Sequence, residues 1–364
     1  MRTVDLIVLG IVGALAGACG TDDGRASSST AATLGSQTTT GTGGTGSTPG
    51  ATTSAAETDP AGSATSAAAS EGGVLFDLPP SGGGDSTGAV MGCRNVDFLF
   101  VIDNSVSMED NQAALVGAFP GFMSTIQTTL DPASQFQILV ADTDEWGRCN
   151  TDNPWSGMDP SDDTCNNYIR NTVFEECDRV RGAGVNHPAG QHASNAPCNF
   201  ASGTRFIDST EPDLGAAFSC AATVGAAGHP SERPMESMVA ALSPALASVG
   251  GCNEGFLRDD ALLVVSFLSD DPNKEDEGVA MDWYQAVVDA KGGDPTAVVV
   301  LGLTPAWEGC RGADAQPHWV EFIELWGDQG LHGDICGGAD DYVSFFESAV
   351  STIAEACDNF EPPG

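Results

Sequence analysis

Phe98-Leu99-Phe100-Val101-Ile102-Asp103-Asn104-Ser105-Val106-Ser107 is the stretch on which the fold turns. Its first half is an unbroken apolar run rich in β-branched and aromatic residues, the pattern of a strand buried on both faces. It passes directly into a carboxylate and two hydroxyls at alternate positions. Met108-Glu109-Asp110 follows, and then Leu115, Val116, Phe119, Phe122, Met123 and Ile126 recur at helical spacing, with Pro120 as an expected kink. The unit is therefore a strand, a polar loop and an amphipathic helix. In open α/β sheets, ligands gather at the carboxyl ends of the strands, which is where Asp103 falls.

Working outward, further apolar runs at Phe136 to Val140, Leu262 to Leu268 and Ala297 to Leu301 read as strands of the same kind, and a strand after Cys93 starts the sheet. Helical stripes lie between them, through Met235, Met238, Val239, Leu242 and Leu246, and through Trp283, Tyr284, Val287 and Val288. A last stripe, Tyr342, Phe345, Phe346, Ala349, Val350 and Ile353, ends near Cys357. Strands alternating with helices predict a three-layer α/β sandwich, Rossmann-like, with a mostly parallel central sheet covered on both faces. A terminal helix returning beside the first strand would bring Cys93 and Cys357 together. The stretch from about 142 to 203 breaks the alternation with Asn, Asp, Gly, Pro and cysteines. It reads as an insertion held by its own disulfides.

The spacing of Asp103, Ser105 and Ser107 sets one carboxylate and two hydroxyls on the same side of a tight loop, the hard oxygens that magnesium or calcium prefers. Two neutral hydroxyls would leave the ion with residual positive charge, ready for an anionic oxygen from outside. The competing reading makes Ser105 or Ser107 a plain helix N-cap. Context favours the site, because a second apolar strand, Ala261 to Leu268, also ends in acid at Ser269-Asp270-Asp271.

This arrangement resembles the von Willebrand factor type A (vWA) family, whose metal-ion-dependent adhesion site joins Asp-x-Ser-x-Ser after the first strand to a Thr from a later loop and an Asp after the fourth strand. Asp103, Ser105 and Ser107 match the first element and Asp270 the last. The loop from Thr223 to Glu232 stands where the threonine is expected but lacks Gly-x-Thr, and Ser231 is the favoured substitute hydroxyl, with Thr223 as runner-up. The resemblance spans about Cys93 to Cys357 apart from the insertion. It extends to Gly255-Phe256-Leu257-Arg258, as in exported bacterial members. It implies a domain over 93 to 358 that holds a divalent cation (Mg2+ first, Mn2+ or Ca2+ as alternatives) and binds a protein partner's Asp or Glu through it, without catalysis.

Composition narrows the partners. The chain carries 13 basic and 51 acidic residues, a formal charge of -38. Most of that charge lies after Gly92, which argues against nucleic acid and anionic membrane surfaces as partners. Residues 1 to 19 join Arg2, an apolar run from Leu6 to Leu15 and Ala16-Gly17-Ala18-Cys19, an export signal too short to span a bilayer. Cleavage before Cys19 would free a thiol for lipid attachment and place the protein at the outer membrane or cell surface. The same Ala-x-Ala suits release into the periplasm or medium. From Gly20 to about Gly92, Ser, Thr, Gly, Ala and Pro dominate, the composition of a flexible linker or stalk. Beyond Cys19 there are ten cysteines with no Cys-x-x-Cys pair, so an exported chain predicts five disulfides rather than a zinc site.

Other clusters carry less. Asp142-x-Asp144-x-x-Gly147 with Asp152, Asp159, Asp162 and Asp163 is a second calcium candidate or a solvated acidic surface. His187, His192 and Cys198 sit in what reads as an exposed loop, and Trp146, Trp155 and Trp307 are contact anchors or buried plugs. Neither a phosphate loop nor a His-Glu-x-x-His helix is present. The leading expectation is a tethered, metal-dependent binding or adhesion module. A metal-assisted hydrolase using the same cluster and a metal-free scaffold in envelope assembly are the alternatives.

Overall fold

The computed structural model of the chain describes residues 93–130, 135–143, 175–226, 228, 232–270, 276–306 and 317–363. Its centre is a sheet of six strands ordered β3-β2-β1-β4-β5-β6. They are β1 Asn95–Ile102, β2 Gln135–Asp142, β3 Ile207–Asp208, β4 Leu262–Leu268, β5 Val298–Thr304 and β6 Gly330–Asp334. All pairings are parallel except that of β3, which runs antiparallel along β2. Chain order reverses on the two sides of β1, so the carboxyl ends of β1 and β4 flank a topological switch point.

Alternation along β1 assigns the two layers. Phe98, Phe100 and Ile102 point into a core shared with α1 Glu109–Thr129, α2 Leu214–Ala222 and α7 Ala339–Asn359. Leu99 and Val101 point the other way, towards α3 Pro234–Leu242, α5 Ala280–Ala290 and α6 Pro317–Glu324. Because both faces are covered, β1 is buried from Val96 to Ile102, which is why its sequence reads as a continuous apolar run. Phe119 of α1 stacks on Phe218 of α2 at 3.5 Å between ring centroids, and Phe122 meets Phe346 of α7 at 5.0 Å. The mixed α/β class and mostly parallel sheet expected from the sequence are thus present.

Some boundaries differ for physical reasons. The stripe from Met235 to Leu246 is two helices, α3 and the single turn α4 Pro244–Ala247. Ser243 between them is extended (ψ 149°), because the ring of Pro244 disfavours helical geometry in the preceding residue. β6 and β3 lie in Gly-Leu-His-Gly-Asp and Ile-Asp, too short or too polar to show as apolar runs. Pro120, read as a kink, lies inside α1, which runs unbroken from Glu109 to Thr129.

Cys93 and Cys357 are bonded with their Cα atoms 4.8 Å apart, as the return of α7 beside β1 predicted. The insertion has Cys149 and Cys165 outside the described residues. Its bridges with both ends described, Cys177–Cys252 and Cys198–Cys220, run into the body of the domain rather than within the segment. Nor is the His187 region simply an exposed loop: Gly182 to Val185 and Pro188 to Gly190 are buried, and exposure is concentrated from Gln191 onward. Val185 donates its N–H to the Val140 carbonyl, so this stretch packs against β2. Asp144, Asp152, Trp146, Trp155, Trp307, residues 1 to 92 with Cys19, and the linker all lie outside the described residues. No helix among the described residues is long and apolar enough to cross a membrane.

One cap is supplied from a distance. No side chain at the N-cap position closes α3; instead the Asp276 carboxylate accepts the Met235 and Glu236 backbone N–H groups at 3.1 Å each. The Trp319 indole N–H adds a third donor at 3.1 Å. Burial nevertheless pushes the Asp276 carboxyl up to about 6, against the pull of these donors. A carboxyl raised in the folded state destabilises the fold as pH climbs from its unfolded value through its folded one. Over pH 4 to 7 this group should therefore remove about 3 kcal/mol of stability. Asp276→Asn keeps an acceptor for the helix and should flatten that slope, read from urea midpoints at several pH values. Parallel profiles for the two proteins would refute this account.

Candidate functional site

The site is built where β1 and β4 end side by side. Ile102 pairs with Asp142 on one side and Leu268 on the other, so the next residues, Asp103, Thr143 and Ser269, emerge at one level. The Asp103 N–H continues the ladder to the Leu268 carbonyl at 2.9 Å, which fixes the first residue of the loop to the neighbouring strand. Asp103 is fully buried and its two oxygens are held apart in role. Oδ1 accepts the Ser105 backbone N–H at 2.7 Å, and Oδ2 accepts the Ser269 hydroxyl at 2.6 Å.

The two serines lie beside it. Ser105 Oγ and Ser107 Oγ are 3.1 Å apart, and Ser107 Oγ donates to Asp270 Oδ1 at 2.7 Å. That last bond joins positions 163 residues apart in sequence. Neither serine caps a helix with its side chain: the turn Val106–Met108 and α1 both begin without one. The competing N-cap reading therefore does not describe these hydroxyls. Three of the oxygen-bearing elements read from the sequence, Asp103, the serine pair and Asp270, form one connected cluster.

The third loop is less complete. Thr223 stands at the end of α2 and its hydroxyl donates to the Ser219 carbonyl at 2.7 Å, so that bond is spent within its own helix. Ser231 lies outside the described residues, as does Asp271. On the side of the cluster nearest this loop, the Gly228 N–H bonds to the Asn104 carbonyl at 2.9 Å. A Cβ at Gly228 would collide with the Asn104 side chain as it stands, so a larger residue there would have to displace that amide.

Sequence reasoning missed two members. Ser269, which the sequence marks only as the residue before Asp270, is the hydroxyl that touches Asp103. Gln112, on α1, is buried and bonds to both Asp103 and the Gly225 loop. A polar residue at position 112 within an apolar helical stripe was the available signal.

Burial pushes the Asp103 carboxyl up to about 7; the Ser269 and Ser105 donors oppose this and the nearby Asp270 charge adds to it. Among the described residues no ion pair reaches Asp103. No group of three or more His, Cys, Asp or Glu side chains converges among them either. The donor set is instead two carboxylates with hydroxyls, which are hard oxygens suited to Mg2+, Mn2+ or Ca2+. A divalent cation here would offset a buried carboxylate that otherwise has only neutral partners, so these residues fit the ion that the sequence suggested.

No family model matches the sequence, and no curated protein matches it. Among solved structures the chain is similar to proximal thread matrix protein 1 (PTMP1) from the mussel byssus, at 10% identity over 72% of this chain with a TM-score of 0.31. The chain spans about half (49%) of that structure's length.

Proposed function

We propose that this domain is a vWA-like, metal-ion-dependent binding module that takes a carboxylate from a protein partner through a divalent cation. The observation that carries the reading is the bond from Ser107 to Asp270, which draws the Asp-x-Ser-x-Ser loop and the acid after β4 into one cluster at the sheet's switch point. Asp103, Ser105, Ser107 and Asp270 would hold the ion. When bound, the ion supplies an electrophilic position for an Asp or Glu oxygen.

The residues around it have separate tasks. Ser269 and the Ser105 N–H orient the Asp103 carboxylate, so its lone pairs are directed before any ion arrives. The serine hydroxyls are neutral and keep the ion's charge from being fully cancelled. Val106, between them, is 79% exposed and presents an apolar surface beside the site to an incoming protein. The heavy negative charge of the domain repels a bare acidic partner at long range, so the carboxylate has to be delivered from a neutral or basic surface. Attachment at a cell envelope through Cys19, and the linker that would extend the domain from it, belong to the same proposal.

Titration of the purified domain with Mg2+ or Mn2+ by calorimetry should show one site in wild type and no heat in Asp103→Ala, with circular dichroism unchanged. EDTA should release any captured acidic ligand. Equal heats for the two proteins would remove the reading, and silence from the wild type would turn it into a metal-free scaffold.

A further inference from the structure

Gln112 is polar, 3% exposed and set at the end of the first turn of α1, just beyond the serine loop. Both amide hydrogens and the amide oxygen are engaged. Nε2 donates to the Asp103 carbonyl at 2.9 Å and to the Gly225 carbonyl at 2.8 Å, while Oε1 accepts the Gly225 N–H at 3.1 Å. One side chain thus joins the loop after β1 to the loop after α2, 113 residues further along. The pattern also fixes the amide's orientation, since two carbonyls need the nitrogen and one N–H needs the oxygen.

The loop it grips has little other freedom at this point. Gly225 has φ +98°, and a Cβ there would lie 2.9 Å from the Ala193 Cβ and 3.0 Å from the Gln191 carbonyl. The Ala226 N–H donates to that same Gln191 carbonyl at 2.6 Å. The loop is therefore clasped between α1 on one side and the insertion on the other, and the Cys198–Cys220 bridge holds the insertion to α2 just ahead of it.

Resting on the reading of a cation site at Asp103, we infer that Gln112 is a positioning residue: it sets the site's affinity for its ion by locking the Gly225 loop to the Asp103 backbone, without touching the ion. No other residue type makes all three bonds. Glu keeps the acceptor and loses both donors; Met keeps the volume and loses all three. In a buried place each lost bond leaves a backbone group unpaired. The Asp103 carbonyl lies on the residue whose carboxylate the site depends on, so loosening it disperses the geometry at its source.

The test measures Mn2+ affinity by the electron paramagnetic resonance signal of the free ion, together with thermal unfolding, in wild type, Gln112→Met, Gln112→Glu and Val287→Ala. Val287 is fully buried in the opposite layer and serves as a control for loss of stability alone. Gln112→Met should bind Mn2+ about 10 to 100 times more weakly, the range typical of residues that orient ligands from behind. Val287→Ala should lose stability and keep wild-type affinity. Should Gln112→Met not fold, Gln112→Glu carries the same readout with near-identical shape. Wild-type affinity in the Gln112 variants, or an equal loss in Val287→Ala, would overturn the inference while leaving the cation site standing. Failure of the wild type itself to bind Mn2+ would overturn both.

Discussion

Replacing Cys93 and Cys357 together by alanine should lower the unfolding free energy of the domain by about 5 kcal/mol, the largest single loss expected here. The bridge closes a loop of 264 residues in sequence separation, nearly the whole folded chain. Chain entropy grows only logarithmically with loop length, but a loop this long restricts the unfolded ensemble about as much as one disulfide can. Both sulfurs are buried in the core with α1 and α7, so removing them adds a small packing loss. Urea unfolding of the double variant against wild type, with the other bridges intact, measures the difference. A change under about 1 kcal/mol would show that the unfolded chain is already constrained by other means.

Arg258→Met should cost about 3 to 5 kcal/mol, because it strands a buried charge. Asp97 on β1 is fully buried and accepts the Arg258 backbone N–H at 2.8 Å and its Nε at 2.8 Å; the guanidinium also reaches it at 2.6 Å through a second nitrogen. Arg258 further donates to the Val96 carbonyl at 3.1 Å, and buried Lys291 donates to the Arg258 and Ala261 carbonyls at 2.6 and 2.7 Å. Burial pushes the Asp97 carboxyl up to about 6 even with Arg258 pulling it down. Without the guanidinium the folded-state value rises further while the unfolded one stays, so the penalty should be larger at pH 8 than at pH 5. Asp97→Leu combined with Arg258→Met should regain much of the loss, since a well-packed apolar pair replaces a buried ion pair at little cost. Chemical denaturation at the two pH values tests this. A loss that is small or independent of pH would exclude a buried, charged Asp97 as its cause.

How far the sequence was legible depended on where energy is concentrated. β1, β2, β4 and β5 showed because strands covered on both faces must be apolar throughout, and β4 was located to the residue. β6 did not, because Gly330–Asp334 has only Leu331 to bury among polar and small residues; its place comes from pairing with β5 and from the helices beside it. The helix after the motif was clear from its stripe, whereas the break at Pro244 was hidden because the apolar pattern runs on through both pieces.

The cluster itself was half legible. Asp103, Ser105 and Ser107 are close in sequence, and their place between an apolar strand and an amphipathic helix suggested a common purpose that the spacing by itself did not; Asp270 followed from the same strand-then-acid logic. Gln112 and Asp276 were invisible to that logic. Each acts on a loop or helix more than 40 residues away or close to it, and a polar side chain that satisfies distant backbone leaves no periodic trace. The Gly255-Phe256-Leu257-Arg258 stretch, noted for its likeness alone, proves to anchor the opposite end of the sheet through Asp97.

The Cys93–Cys357 bond also decides how the domain meets mechanical load. Cys93 stands just ahead of β1, whose eight residues lead about 25 Å to Asp103 at the far pole. A pull between the two flanks of the domain passes from one sulfur to the other and bypasses the hydrogen-bonded strands. A pull between a ligand at Asp103 and the chain at Cys93 instead runs lengthwise down the central strand, where β2 and β4 resist it together in shear. On the proposed reading of a cation site at Asp103, force spectroscopy should rupture the bond to the ligand before the fold gives way.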